Sequence, residues 1–188
     1  MAARGVPLAI DEGSDGPDGS TDVLAGLAGG DIAAVLGELG RCLRRMHETD
    51  PSNCPWVRDL PEIVAEATNR VAAGQVAVDR FDPPYRRYTP AELLDVVVGS
   101  IPSPSLSPVV VHGSARLSAL RVEADELRWV DVSACGLGDA YRDLATMAVD
   151  VASAISPEAL GPFLDAYGID HPDLVRLDWH VLVDQLLR

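Results

Sequence analysis

The chain has 188 residues, 47% hydrophobic and 23% charged, the balance of one globular domain that buries its own core; a wholly disordered chain is excluded. With 29 acidic residues against 15 basic ones the formal charge is −14, so nucleic acid and anionic membrane are not expected partners, whereas a cationic ligand is. All 15 basic residues are arginine, and without a lysine there is no Schiff-base chemistry, no Walker-type phosphate loop and no kinase-type strand lysine. Cys42, Cys54 and Cys135 are widely spaced and form no CxxC, which predicts reduced core thiols in place of a disulfide framework or zinc site. No apolar run is long enough to span a membrane and the first residues lack a signal-peptide pattern, so a cytoplasmic location is expected.

Gly13 to Thr21 contains almost only turn formers and acids, and the short apolar runs Val6 to Ile10 and Val23 to Leu27 on either side predict a hairpin-like pair of strands. Ile32, Val35, Leu36, Leu39, Leu43 and Met46 then recur at helical spacing, with Asp31 as the cap and Arg41, Arg44 and Arg45 toward the negative end of the helix dipole. Asp50 to Pro55 reads as a turn and Pro61 to Ala73 as a second helix. Thr89, Pro90 and Glu92 spell a capping box for a helix to about Val98. The Pro- and Ser-rich stretch Pro102 to Pro108 is a connector, followed by a buried strand at Val109 to Val111 and a sharp turn at His112 and Gly113. Leu120 to Val122 and Leu127 to Val132 bracket the acidic turn EADE, predicting a hairpin whose second strand ends at Asp131. After a Gly-containing loop, helices are expected at Tyr141 to Ile155, Pro157 to Tyr167 and Leu174 to Leu187. The fold class is therefore α+β, mainly helical, with small hairpins.

Asp131, at a strand end, is a candidate ligand for a hard cation such as magnesium, and equally a simple cap of the next turn. His112 reads as a structural hydrogen-bonding residue or as a base. A nucleophile reading of Ser114 lacks the second glycine of a nucleophile elbow, since the run is His112-Gly113-Ser114-Ala115-Arg116. Asp139, Asp143 and Asp150 lie at roughly helical spacing and fit a solvated face, and Trp56, Trp129 and Trp179 fit core or subdomain anchors.

Taken together, Val109 to Ala145 (VVVHGSARLSALRVEADELRWVDVSACGLGDAYRDLA) resembles the catalytic core of the aminoglycoside 3′-phosphotransferases. That family carries His-Gly-Asp, an Asn five positions on, a hairpin, an Ile/Val-Asp that binds magnesium, and a Gly-x-x-Asp-x-Tyr-x-Asp run. Leu43 to Trp56, Arg70 to Leu94 and Arg176 to Leu187 extend the resemblance, which covers nearly everything from Gly5 onward. It implies a protein-kinase-like fold: residues 1–30 as a remnant N-terminal lobe hairpin and hinge, and residues 31–188 as the helical C-terminal lobe. The family's glycine-bearing phosphate loop, lysine and paired glutamate would all lie before the first matched residues.

The departures shape the functional expectation. By the resemblance, the base that accepts the substrate hydroxyl proton falls at Ser114, whose neutral hydroxyl cannot replace a carboxylate. The magnesium-holding Asn falls at Ala119, leaving Asp131 as a lone metal position. Asp82, Asp150 and Asp184 fall where the family holds cationic aminoglycosides, a neighbouring arginine position is Ala134, and Leu187 is followed by an added Arg188. The expected protein is a catalytically impaired pseudoenzyme that acts by binding. The alternatives are an active phosphotransferase using magnesium and ATP, a non-catalytic binder of cationic aminosugars motivated by Asp150 and Asp184, which read equally as ordinary helix-surface acids, and a protein whose lobe-facing surface meets a partner protein or a second copy.

Overall fold

The computed structural model describes residues 31–123 and 126–188. The expected hairpin and hinge in residues 1–30 lie outside the described residues. Helix α1 spans Ile32–His47, and the Asp31 carboxylate accepts the Ala33 N–H at 3.0 Å to satisfy one of its orphan donors. Its apolar stripe buries Leu36, Leu39, Cys42 and Leu43. Helix α2 (Leu60–Ala72) is capped by Asp59, and α3 (Pro90–Gly99) by the full Thr89–Glu92 capping box that its sequence spells out.

Strands β1 (Val57–Arg58), β2 (Val109–Val111), β3 (Leu120–Glu123), β4 (Glu126–Trp129) and β5 (Gly136–Gly138) are short. Helices α4 (Tyr141–Ala154), α5 (Leu160–Tyr167, entered through a 3-10 turn at Pro157–Ala159) and α6 (Leu174–Leu187) complete the described residues. β5 lies between β1 and β2, parallel to the first and antiparallel to the second, while β3 and β4 form a separate antiparallel ribbon with Leu120 opposite Trp129.

Two buried clusters make the core. In one, α1, α4 and α5 enclose Ala115, Leu117 and Leu120; in the other, α2, α3 and α6 enclose Phe81. The packing of α4 along α6 joins them. At Gly40 an added Cβ would sit 2.5 Å from the Phe163 carbonyl oxygen, so the absence of a side chain there is what lets α1 approach α5.

Three expectations are corrected. The hairpin's second strand ends at Trp129, because Asp131 adopts a left-handed conformation (φ 55°, ψ 59°) that leaves the pleat and starts a 3-10 turn over Val132–Ala134. The Gly-containing loop is strand β5, whose glycines are required because a Cβ at Gly136 would lie 2.4 Å from Arg58 Cγ. Trp56 is no core anchor: it is 62% exposed beside β1, at the sheet's outer edge, whereas Trp179 is buried and donates its indole N–H to the Val97 carbonyl. Cys42 and Cys135 are buried free thiols, while Cys54 is half-buried. No helix among the described residues is long and apolar enough to cross a membrane.

Candidate functional site

The end of β2 turns through His112, Gly113 and Ser114. Gly113 has φ 85°, and a Cβ on it would lie 2.2 Å from the Ala134 carbonyl oxygen, so only glycine permits both the turn and its contact with the 3-10 segment after Asp131. The turn is held from below by Asp143 on α4. Its Oδ2 accepts the His112 N–H at 2.6 Å and its Oδ1 the Gly113 N–H at 2.8 Å, while His47 Nε2 lies 3.1 Å from Oδ2. The carboxylate is completely buried. Burial alone would push its pKa up, but His47 and, after it, His112 with its N–H outweigh burial and hold the group below the usual carboxylate range. Arg142 closes the other side, donating Nε–H to the Gly113 carbonyl at 2.8 Å.

His112 is itself held in this turn. Its ring is 1% exposed, Nε2 lies 2.9 Å from the Val130 carbonyl, and it packs tilted against Trp129 at 5.1 Å. It ties the β2 turn to the end of the ribbon. Ser114, the position where the resemblance expects a base, is half-buried directly after this turn. Val130, the residue before Asp131, donates its N–H to the Ala119 carbonyl at 2.9 Å, which holds the chain leading into Asp131 against the 3-10 turn at Leu117–Ala119. Asp131 is exposed, and its carboxylate accepts the Ser133 hydroxyl at 2.8 Å.

Asp82, Asp150 and Asp184 are brought together, and two arginines do it. Arg116 Nη2 lies 2.6 Å from Asp184 and Nη1 3.4 Å from Asp150, whose Oδ2 also accepts the Leu117 N–H at 2.9 Å. Arg188 forks Asp82 at 2.7 and 2.8 Å and reaches Asp184 through Nε at 2.8 Å. Gln185 adds an amide contact to Asp82 at 2.8 Å. At Asp82 burial is outweighed by Arg188 and Gln185 and the pKa falls; at Asp150 burial prevails over the Leu117 N–H and Arg116, and the pKa rises. The solvated-face reading of Asp139, Asp143 and Asp150 is overturned, since the first two are buried and the third is half-buried. Asp139 pairs with Arg176 and accepts the Tyr141 N–H at 3.0 Å. Sequence reasoning placed Asp143 in a motif but missed its task; the signal was an acid inside the otherwise apolar run of α4.

The model of the phosphotransferase enzyme family matches residues 2–180 of the chain. The chain belongs to that family. An aminoglycoside 3'-phosphotransferase from Escherichia coli is 30% identical over 80% of this chain and 55% of its own length, and a streptomycin 3''-kinase from Streptomyces griseus is 29% identical over 83% and 61%. The chain thus spans little more than half the length of such curated relatives. Among solved structures, an aminoglycoside phosphotransferase from Streptomyces rimosus superposes with a TM-score of 0.78 at 24% identity, covering 92% of this chain and 66% of that one. The same enzyme in complex with ADP and streptomycin gives 0.74 at 26% identity, covering 81% and 62%. The fold is therefore kinase-like, as the resemblance implied.

A magnesium ion bound as in phosphoryl-transfer enzymes needs several oxygen donors converging on one point. Here Asp131 offers one carboxylate, Ala119 offers no side-chain oxygen, and no group of three or more His, Cys, Asp or Glu among the described residues is placed to hold a metal. The described residues of this phosphotransferase-family chain do not fit the ion. The turn through His112 and Gly113 is nevertheless firmly held, by the Asp143 carboxylate.

Proposed function

We propose that this chain is a pseudokinase of the phosphotransferase enzyme family, a cytoplasmic protein that keeps the fold and acts by binding in place of phosphoryl transfer. The observation that carries the reading is Ser114: the position that the resemblance gives to the base carries a neutral hydroxyl, and the position it gives to a second metal ligand is Ala119, leaving Asp131 as the one carboxylate. Loss of a positioned base costs about a hundredfold to ten-thousandfold in rate, and loss of metal ligation compounds it. Support for binding comes from the convergence of Asp82, Asp150 and Asp184 on one partly exposed patch that holds cationic groups, here the guanidiniums of Arg116 and Arg188, the kind of charge an aminosugar carries. The remaining reading, a partner protein or second copy over the lobe-facing surface, is the fallback should no small cation bind.

The test is phosphate transfer from magnesium-ATP to a panel of aminoglycosides, comparing the wild type with Ser114→Asp combined with Ala119→Asn. The wild type is expected to give no product above the enzyme-free blank. Saturable turnover by the wild type, abolished by Asp131→Ala, would return the protein to the active phosphotransferases.

A further inference from the structure

Two of the three cysteines meet at the start of β5. Val57 and Arg58 pair in parallel with Leu137 and Gly138, and the same register carried two residues back sets Pro55 across from Cys135, with Cys54 next to it. Cys54 and Cys135 each close a 3-10 turn in extended conformation (φ −90°, ψ 108° and φ −63°, ψ 147°), so the two chains run on side by side beyond their last paired residues. The Trp56 carbonyl fixes the Cys54 sulfur there, accepting the Leu137 N–H at 2.8 Å and the Cys54 thiol at 3.7 Å. A diagonal pair on adjacent strands, which lie about 4.8 Å apart, falls within the Cα separation of about 4.4 to 6.8 Å that a disulfide can bridge. The two thiols also act on each other. Burial pushes the Cys135 thiol up to about 11, and the Cys54 sulfur and then the Asp143 carboxylate push the same way. Both are reduced in this structure, Cys135 buried and Cys54 half-buried. Cys42 stands apart on α1, buried, with its thiol toward the Leu127 carbonyl at 3.6 Å.

We propose that Cys54 and Cys135 form a redox modification site, in which Cys54 takes up a low-molecular-weight disulfide such as oxidised glutathione and Cys135 resolves the adduct into an intrachain bridge. Cys54 enters first because it is the more exposed of the two. Its thiolate attacks one glutathione sulfur, the other glutathione leaves as a thiolate and takes a proton, and Cys54 carries a mixed disulfide. Cys135 then gives its proton to solvent and attacks the Cys54 sulfur, expelling the second glutathione, which is protonated in turn. Two protein thiols are oxidised and one glutathione disulfide is reduced to two thiols. The bridge ties the turn before β1 to the 3-10 segment Val132–Ala134 that follows Asp131, and the Ala134 carbonyl is the group against which Gly113 packs. Oxidation therefore fixes the segment between Asp131 and β5 to the sheet edge, and the closed chain loop stabilises the fold by restricting the unfolded chain. None of this depends on whether the chain transfers phosphate.

The full chain, folded, is incubated with oxidised glutathione, its remaining thiols are alkylated in denaturant, and the products are weighed and peptide-mapped by mass spectrometry. The wild type is expected to lose two hydrogen atoms, to carry no glutathione, to keep Cys42 as its one alkylated thiol, and to return to the reduced mass in dithiothreitol. Cys135→Ser should stop at a glutathione adduct on Cys54. Cys54→Ser should lose thiols at least about tenfold more slowly, because only buried ones remain. Cys42→Ser should behave as the wild type. Closure should slow by about tenfold for each unit that the pH is lowered below 9, since the resolving thiol must first lose its proton. Oxidised wild type should unfold at a higher urea concentration than reduced wild type, and the Cys135→Ser adduct should show no such gain. Cys135→Ala repeats the experiment without a hydroxyl in the buried position, so that misfolding of the serine variant does not pass for loss of the resolving thiol. A stable glutathione adduct on wild-type Cys54, a bridge through Cys42, a bridge between two chains, or no reaction at all overturns the proposal.

Discussion

Asp143 and Asp184 both reach from helices toward the loop that follows β2, yet they are satisfied by different kinds of partner. Asp143 is fully buried and takes backbone N–H groups of His112 and Gly113 together with the His47 ring. Asp184 is 15% exposed and takes the guanidiniums of Arg116 and Arg188, each of which has a second carboxylate. Backbone donors cannot turn elsewhere when their acceptor is lost, whereas arginines sharing several acids can. The first arrangement therefore fixes a shape, and the second is an exchangeable surface.

That contrast predicts very different costs. Asp143→Ala leaves two buried N–H groups unpaired, each worth about 1 to 3 kcal/mol, so a loss of about 3 to 5 kcal/mol or failure to fold is expected. Asp184→Asn should cost only about 1 kcal/mol, because Arg116 retains Asp150 and Arg188 retains Asp82. Urea midpoints of the two variants measure this directly, and equal losses would erase the distinction.

Acid sharpens the same comparison. Burial opposes ionisation of Asp139, but His180, the Tyr141 N–H and Arg176 outweigh it and hold the carboxyl at about 2, below its ordinary 3.8. The folded state then binds its proton later than the unfolded chain, so the stabilisation is complete above the unfolded value and disappears as pH falls from about 4 through about 2. The amount is about 2 kcal/mol. Asp150 has the opposite sign: its raised pKa makes the charged form a burden that protonation relieves. Urea midpoints between about pH 2 and pH 7 should show Asp139→Asn losing stability at neutrality and converging with the wild type in acid. A constant offset across the range would mean that Asp139 acts by packing alone.

Much of this architecture is legible in the sequence, and the illegible parts share a cause. The Thr89–Glu92 box and the stripe of α1 are local patterns, and the structure follows them within a residue or two. Strand β5 escaped because Gly136-Leu137-Gly138 has no strand signal of its own; it exists because β1 and β2 flank it and leave no room for side chains at its glycines. The site divides the same way. Ser114 and Ala119 are visible from motif position alone, but the placing of Arg116 and Arg188 on the acids depends on contacts 34, 68 and 106 positions apart, which no window of sequence contains.

At the outer limit of the comparison stand ion pairs with nothing buried behind them. Glu38 accepts Arg41 and Arg45 on the exposed side of α1, and the pairing outweighs its slight burial to lower its pKa, yet both arginines are more than half exposed. Such pairs gain little beyond what water and salt already supply, so Arg45→Gln should change stability by no more than about 0.5 kcal/mol. Raising the salt concentration should erase even that, while the cost of Asp143→Ala, whose partners are shielded from ions, should stay as it was. If salt weakened both variants' effects alike, burial would not be what separates the network that shapes the turn from the charges that merely decorate the surface.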